Sequence, residues 1–285
     1  MSTSITSTTG AVNNPAITSK DVIEFREANL GFSGCVSTRY RDEAGVGTTI
    51  RWGLVTAPNS TAARTKSEGN SGNDITYDVT NEGSVTLTIN QHMYSAFELE
   101  EFEREMSIVD QNKWYTKAAA YALDTSIDDT LAALIDDGGT NPQGTLGVDL
   151  ADEDVRRAVQ SLDDANAPSE GRYFGMSPAT KNSMLSIDRY ASSDFNRGGG
   201  ANIIRGEFGD IYGLKTWVST NIEGTNAAGH DNGIWQRDAI ALGMRMQPKT
   251  RRFDDIQNQS EQVSIAAIWG VIETRDDHLV WMRGA

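Results

Sequence analysis

The sequence predicts an α+β fold, and three features of the residue pattern carry this prediction. Residues 75–80 and 85–90 alternate apolar and polar side chains, which is the pattern of half-buried strands. Residues 84–137 contain neither glycine nor proline, and their apolar residues recur every three or four positions, as on one face of a helix. Residues 246–285 return to strand-like runs. The long helix and most strands are therefore expected in separate stretches of the chain.

The front of the chain is predicted to be an arm with one short helix. Its first twenty residues are rich in serine and threonine and poor in aromatic residues, so they bury too little apolar surface to fold alone. Residues 21–30, with Val22, Ile23 and Phe25, predict the short helix. The basic flank and apolar stretch of a signal peptide are absent from the first residues.

An extended loop built on a β-hairpin is predicted next. A strand-like run at 48–55 precedes residues 57–74, which hold no large apolar side chain and are expected to form a long exposed loop. The alternating runs 75–80 and 85–90 are expected to pair with each other across a turn at residues 81–84.

A long amphipathic helix is predicted after the hairpin. Its first apolar stripe consists of Leu99, Phe102, Met106 and Val109, and its second of Ala120, Leu123, Ile127, Leu131 and Leu134. The periodicity slips near Asn112, so we expect two helices or one kinked helix. Gly138 and Gly139 are expected to end it.

The middle of the chain is predicted to alternate helix and strand. Helices are expected at 152–162 and 178–187, separated by a short buried strand at 172–176. Three consecutive glycines, Gly198, Gly199 and Gly200, predict a loop. The remaining strands are expected at 214–220, 234–246, 262–272 and 279–282.

Composition excludes several classes of function. The net charge is −15 over 285 residues, and a negative surface repels phosphate, so sequence-specific nucleic-acid binding is disfavoured. The single cysteine, Cys35, cannot form an internal disulfide and fits a reducing cytoplasm. We interpret it as a small buried apolar residue. No apolar stretch reaches the length of a membrane span.

No catalytic residue is predicted, and we expect the protein not to be an enzyme. The nearest motif is Gly175-Met176-Ser177-Pro178-Ala179, which superficially resembles a nucleophile elbow. An elbow needs the backbone N–H after the nucleophile, and Pro178 has none. Ser177 is better interpreted as a helix N-cap and Pro178 as the first helical residue.

No metal or cofactor site is predicted either. His92, His230 and His278 are far apart in the sequence, and each is expected at a surface or an interface. Five Asp-Asp pairs match no calcium-loop spacing and are expected to be solvated. These pairs lie at 128–129, 136–137, 163–164, 254–255 and 276–277.

An acidic cluster surrounds Arg104, and it consists of Glu98, Glu100, Glu101, Glu103 and Glu105. Two interpretations have equal weight. The cluster is a solvated helix face, favoured near a helix N-terminus by the macrodipole, or it is a surface on which a neighbour's basic groups dock. Surface ion pairs are worth ~0–1 kcal/mol each, so docking would require several together.

Two short sequence segments, together with the order of the elements, resemble those of a known protein family. Residues 167–174, Ala-Pro-Ser-Glu-Gly-Arg-Tyr-Phe, followed by Ser-Pro-Ala at 177–179, match a buried strand between two helices. Residues 209–221 run from a glycine into a strand that ends in Ser-Thr-Asn. With the arm, the bare loop, the long helix and the returning strands, essentially the whole chain resembles the major capsid proteins of tailed bacteriophages, which have the Hong Kong 97 fold.

The resemblance implies five segments. They are an N-terminal arm with a short helix at 1–47, an extended β-hairpin loop at 48–92, a spine helix with part of the peripheral domain at 93–150, an axial domain at 151–245, and strands returning to the peripheral domain at 246–285. The glycines at 198–200 would lie in an axial loop, near the symmetry axis of a capsomer.

The resemblance also implies the function and the partners. The chain would self-assemble into hexamers and pentamers that form an icosahedral shell around double-stranded DNA, without sequence-specific binding and without a membrane. It would be assembled in the host cytoplasm and would reside in the virion capsid. A portal and a decoration protein are further implied partners. Only the short arm precedes the loop, so we expect a separate scaffolding protein.

A hairpin with one apolar face is not stable as an isolated ribbon, so a neighbouring subunit is expected to cover it. We expect the basic residues Arg51, Arg64 and Lys66 of the loop to lie over Glu98, Glu101 and Glu103 of the next subunit. Two rival functions remain open. An encapsulin-like compartment has the same fold but encloses enzymes, and a soluble α/β hydrolase would have to explain the bare loop and the missing elbow glycine.

Overall fold

The computed structural model describes residues 31–38, 47–55, 82–106, 111–137, 142–187, 190, 211–225 and 228–284. These residues form four helices and eleven strands, which confirms the α+β class. In chain order they are β1 (Thr49–Val55), β2 (Glu82–Thr88), β3 (Gln91–Glu100), α1 (Glu101–Met106), α2 (Gln111–Asp137), β4 (Gln143–Gly144), α3 (Asp152–Asp164), β5 (Arg172–Met176), α4 (Pro178–Leu185), β6 (Lys215–Val218), β7 (Gly224–Thr225), β8 (Gly229–Gln236), β9 (Ile240–Asp255), β10 (Ser260–Glu273) and β11 (Leu279–Gly284).

The strands form three sheets. β1 and β2 make a two-stranded antiparallel ribbon, and β3, β10 and β9 make a three-stranded sheet in that order. The third sheet has the order β4-β11-β8-β5-β6, with β7 added on β8. Helix α2 packs against β3 and β10, and α3 packs against β4, β11 and β8. Helix α2 also contacts β8 and β11, so it bridges the two larger sheets, whereas α3 packs on the larger of them.

The hairpin differs from the prediction at its turn. The strand expected at 48–55 is confirmed as β1, but its partner is β2, and Val55 lies opposite Glu82. The turn predicted at 81–84 is wrong, because residues 82–84 continue β2 and are held extended by pairing with residues 53–55 of β1. The loop predicted at 57–74 and the strand predicted at 75–80 lie outside the described residues.

The predicted long helix is confirmed only in its second half. Helix α2 spans 27 residues, or ~40 Å at ~1.5 Å per residue, and it ends directly before Gly138 as expected. Leu123, Ile127 and Leu131 are buried on one face. The first apolar stripe is wrong at its start, because Leu99 lies in strand β3 opposite Glu261 of β10. Among the described residues of that stretch, 101–106 form the short helix α1.

The middle elements and three of the later strands agree closely with the prediction, and one later strand does not. The helix expected at 152–162, the strand at 172–176 and the helix after Ser177 are confirmed as α3, β5 and α4. The single strand expected at 234–246 is wrong, because a 3-10 turn at Arg237–Ala239 divides it between two sheets. The side chain of Gln236 accepts a hydrogen bond from the backbone N–H of Asp238 and so caps that turn.

The segment boundary expected between residues 245 and 246 falls inside a strand. Strand β9 runs through residue 245, from Ile240 to Asp255. Strand β11, expected to return beside the other C-terminal strands, instead pairs with β8, so that Leu279 lies opposite Trp235. The chain end therefore closes the sheet of the middle segment.

Two buried clusters stabilise the fold. One lies between α2 and the three-stranded sheet, and it includes Leu123, Ile265 and Trp269. The other lies between α3 and the larger sheet, and it includes Val155 and Phe174. From the predicted arm, the described residues 31–38 insert into the first cluster, while the helix expected at 21–30 lies outside the described residues.

Candidate functional site

The β1–β2 ribbon has one apolar and one polar face. Ile50 lies opposite Leu87 and Trp52 opposite Val85, and side chains on directly opposed residues share a face. The intervening pairs are polar, with Arg51 opposite Thr86. Alternation along the sequence predicted this apolar face for β2.

The base of the ribbon lies on the body of its own subunit. Leu87 is fully buried and Ile89 is 7% exposed. Beneath them, Gly243 of β9 lies directly opposite Gly270 of β10. A Cβ atom at Gly243 would collide with the Leu87 side chain, and one at Gly270 would collide with the backbone of Thr88 and Ile89. We call this glycine pair the glycine seat of the ribbon. It was not predictable from local sequence, because the two glycines are 27 positions apart.

Of the three predicted basic residues, the structure describes one. Arg51 is exposed on the polar face of the ribbon and has no ion-pair partner among the described residues. Arg64 and Lys66 lie outside the described residues, as do Gly198, Gly199 and Gly200.

The predicted acidic residues lie on two consecutive elements. Glu98 is on β3, where it accepts hydrogen bonds from the Ser260 hydroxyl and, at 3.4 Å, from Gln262 Nε2. Glu101 and Glu103 lie on α1, and both are exposed. We name Glu98, Glu100, Glu101, Glu103 and Glu105 the acidic segment.

Arg104 is the cation nearest to the acidic segment, and it is shared with β10. Its guanidinium lies 3.9 Å from Glu101 and 3.8 Å from Glu105, contacts that are weak because all three side chains are largely exposed. It also lies 3.4 Å from Glu261, whose side chain is 12% exposed. Asn112 and Arg252 bind the same carboxylate, at 3.0 and 3.6 Å. Glu261 thus draws Arg104 inward, and the acidic segment keeps an excess of negative charge.

Within one subunit, the structure does not bring the basic and acidic residues together. No ion pair joins Arg51 to Glu98, Glu101 or Glu103 in the described part of the chain. The arrangement leaves an exposed cation on the ribbon and exposed carboxylates on β3 and α1.

Ser177 is confirmed as a helix N-cap. Its Oγ accepts a hydrogen bond from the backbone N–H of Thr180 at 3.1 Å, and Pro178 is the first residue of α4. Its own backbone N–H donates to Asn232 Oδ1 at 2.8 Å. With 1% of its surface exposed, the serine is buried inside the fold and does not reach solvent.

Three polar residues are more buried than the sequence suggested. His230 and His278, expected at a surface or interface, are 8% and 7% exposed, because His230 lies in β8 and His278 lies in the turn directly before β11. Asp128, expected to be solvated, is 3% exposed, because residues 31–38 cover it. Burial lowers the pKa of His278 and raises the pKa of Asp128 to about 6. Cys35 is buried as expected.

Among the described residues, no three His, Cys, Asp or Glu side chains are placed to bind a metal ion together. None of the described helices is long and apolar enough to cross a membrane.

Comparison with known proteins gives matches by structure and none by sequence. No protein-family model matches the chain, and no curated protein matches it. The relationship is therefore visible in the arrangement of the backbone.

The solved structures that match come from phage particles. A chain from Mycobacterium phage Che8 has a TM-score of 0.82 at 23% identity, over 94% of this chain and 96% of that one. A chain from the capsid of the cyanophage P-SCSP1u has a TM-score of 0.75 at 16% identity, over 97% and 94%. A chain from the mature capsid of bacteriophage PhiM1 has a TM-score of 0.71 at 13% identity, over 95% and 91%.

These matches define the class of fold. The chain has the Hong Kong 97-type capsid fold, as the resemblance in its sequence predicted. The similarity extends over nearly the full length of the chains compared.

Proposed function

We propose that this chain is a major capsid protein of a tailed bacteriophage, a structural subunit and not an enzyme. The observation that carries the proposal is the near-complete structural match to phage capsid chains, with 94–97% of this chain covered in three independent comparisons. A fold alone does not determine a function, so the surface of the chain has to provide the rest.

The proposed activity is self-assembly into hexamers and pentamers that close into an icosahedral shell. Contacts between different patches on identical subunits generate rings when the rotation closes. The ribbon and the acidic segment are two such different patches. A separate scaffolding protein, a portal and a decoration protein are proposed partners. The shell is assembled in the host cytoplasm, and the virion capsid is the proposed location.

Double-stranded DNA is the proposed content of the shell, held without sequence-specific contacts. The net charge of −15 supports the absence of sequence-specific contacts, because an acidic subunit repels phosphate and does not bind DNA tightly. A shell that encloses DNA without binding it closely leaves the DNA free to enter and leave.

The proposed interface joins Arg51, Arg64 and Lys66 of the loop to Glu98, Glu101 and Glu103 of the next subunit. Two facts support it. Arg51 is exposed without an ion-pair partner among the described residues, and Glu101 and Glu103 are exposed on α1. The contact is heterologous, so a ring of copies satisfies every patch.

Charge reversal tests this interface. The double variant Glu101→Lys, Glu103→Lys is expected to assemble at least tenfold less efficiently, because it places like charges opposite the loop, and Lys66→Glu is expected to restore assembly in part. The yield of particles in a sucrose gradient measures both effects. The double variant Asp164→Lys, Glu170→Lys is the matched control. Both residues are exposed, and Asp164 ends α3, which packs on the larger sheet. Normal particle yield from the first variant contradicts the pairing.

Sedimentation velocity of the purified full chain tests the function itself. We expect capsomers or closed particles, far larger than a single subunit. A monomer or small oligomer at every concentration contradicts the proposal and supports a soluble enzyme. Particles isolated from producing cells should contain DNA; an enclosed enzyme in place of DNA would instead support an encapsulin-like compartment.

A further inference from the structure

Residues 31–38, which we name the strap, are fastened into the body of the subunit by buried contacts. The Phe32 ring is fully buried, with its centroid 4.6 Å from that of Trp217 and 5.1 Å from that of Trp235. The indole N–H of Trp235 donates to the backbone oxygen of Cys35 at 3.1 Å. The strap is therefore held by packing and by a buried hydrogen bond.

The strap also extends the edge of β9. The backbone N–H of Ser37 donates to the Ile240 oxygen at 2.9 Å, and the N–H of Leu242 donates to the Ser37 oxygen at 3.0 Å. The guanidinium of Arg237 donates to the Val36 oxygen at 3.3 Å. These contacts join the N-terminal part of the chain to a strand some 200 residues later.

At its other end the strap covers a carboxylate. Asp128 lies on α2 and is 3% exposed, and its Oδ2 accepts a hydrogen bond from the backbone N–H of Phe32 at 3.4 Å. No lysine or arginine among the described residues forms an ion pair with it. A buried carboxylate without a cationic partner is costly when ionised.

The charged groups around Asp128 come from three elements. Asp124 and Asp129 lie on α2 itself, and their negative charges oppose ionisation of Asp128. Arg237, from the turn before β9, lines the same cavity as Asp124 and Asp128. Cys35, from the strap, stays neutral because burial raises the pKa of its thiol to about 11. The positive charge of Lys215, on β6, acts to lower the pKa of the Cys35 thiol, but burial outweighs it.

We infer that the strap is a pH-dependent fastening, in which protonation of Asp128 strengthens its attachment to α2 and ionisation weakens it. The sign follows from linkage. Burial raises the pKa of Asp128 from 3.8 to about 6 and outweighs the hydrogen bonds from the Phe32 and Gly31 backbones, which lower it; we expect release of the strap to return the carboxyl toward solvent and its ordinary pKa. The attached state therefore binds the proton more tightly, so attachment strengthens as the pH falls through 6 and levels off below about 4.

Hydrogen exchange on the full chain tests this inference. We expect the protection factors of the strap amides to rise about tenfold between pH 7.5 and pH 5.0, after correction for the intrinsic exchange rate. Amides of α3, whose apolar residues pack in the other buried cluster, serve as the internal reference. A decrease of strap protection on acidification, or no change, overturns the inference even before any variant is made.

Two variants assign the effect to one carboxyl group. Asp128→Asn keeps an oxygen to accept the Phe32 N–H and cannot ionise, so its strap is expected to be strongly protected at both pH values. Asp129→Asn removes the same charge from the exposed neighbouring position and is expected to keep most of the pH dependence. An Asp128→Asn strap that responds to pH as the wild type does overturns the assignment to Asp128.

Discussion

At the scale of single residues, Asp152 connects parts of the chain that are distant in sequence. Its Oδ1 accepts hydrogen bonds from the hydroxyls of Tyr190 and Tyr212, at 2.5 and 2.6 Å. Tyr212 has a φ of 49°, in the left-handed region that costs a bulky residue of order 1–3 kcal/mol. Gly213, with a φ of 77°, completes the turn at low cost. The carboxylate thus stabilises a strained turn through its tyrosine.

Replacing Asp152 by alanine is expected to lower the free energy of unfolding by about 2–4 kcal/mol, because it removes the hydrogen bonds from the Tyr190 and Tyr212 hydroxyls and the ion pair with Arg156. Urea denaturation of unassembled subunits measures the change. Glu153→Ala is the matched control. That residue lies in the same helical turn but pairs only with exposed Arg157, so its loss is expected to cost under about 1 kcal/mol. Equal effects of the two variants would refute the role of Asp152.

The sequence predicted residue roles where the cause is local. Ser177 and Pro178 form the N-terminus of α4, and a capping preference acts within four residues. The burial of Asp128 was not predictable in this way, because the residue that covers it, Phe32, is 96 positions away. An aspartate pair inside a helical pattern gives no local signal that one member faces the core.

At the scale of elements, the ribbon and its glycine seat explain how a two-stranded piece is held in place. An isolated ribbon of this size is marginal in water, and the fully buried Leu87 anchors its base on the opposed glycines of β9 and β10. Farther along the ribbon, Gly53, Gly83 and Ser84 are exposed. The ribbon is therefore anchored at one end, and the rest of it extends from the body.

Gly243→Ala and Gly270→Ala are each expected to loosen the ribbon, because the added Cβ meets Leu87 in one case and the backbone of Thr88 in the other. Overpacking of this kind costs typically ~1–3 kcal/mol. We expect hydrogen exchange of the β2 amides to accelerate at least fivefold. Gly53→Ala is the matched control, since nothing lies within 4 Å of a Cβ at that position. Unchanged exchange in both seat variants would show that the ribbon does not depend on this seat.

Element type was predictable wherever the periodicity ran long enough. Five apolar residues at helical spacing identified α2, and the glycine pair after it marked its end. Leu99 and Phe102 also fit helical spacing, yet Leu99 belongs to a strand because β3 pairs with β10, whose residues follow about 160 positions later. Short apolar runs do not distinguish strand from helix, and in β3 the distant partner strand decides.

At the scale of the whole molecule, charge and shape support association between copies. The acidic segment keeps excess negative charge because Arg104 is drawn toward Glu261. The ribbon presents Arg51 on its exposed face. The overall charge of −15 keeps free subunits apart by mutual repulsion. The proposed contacts between the ribbon and the acidic segment would have to overcome this repulsion.

The class of fold was predictable from the order of the elements, while sheet membership was not. Strand β11 pairs with β8, and β9 passes through the boundary expected at residue 245. Both pairings depend on contacts far apart in sequence, and strand periodicity reports which face is buried without identifying the neighbouring strand.

A cryo-electron microscopy map of the assembled particles, detailed enough to trace the backbone, tests the central claim most directly. We expect rings of five and six subunits in which the outer part of each β1–β2 ribbon lies on the acidic segment of the adjacent copy. A map in which every ribbon lies wholly on its own subunit would contradict it.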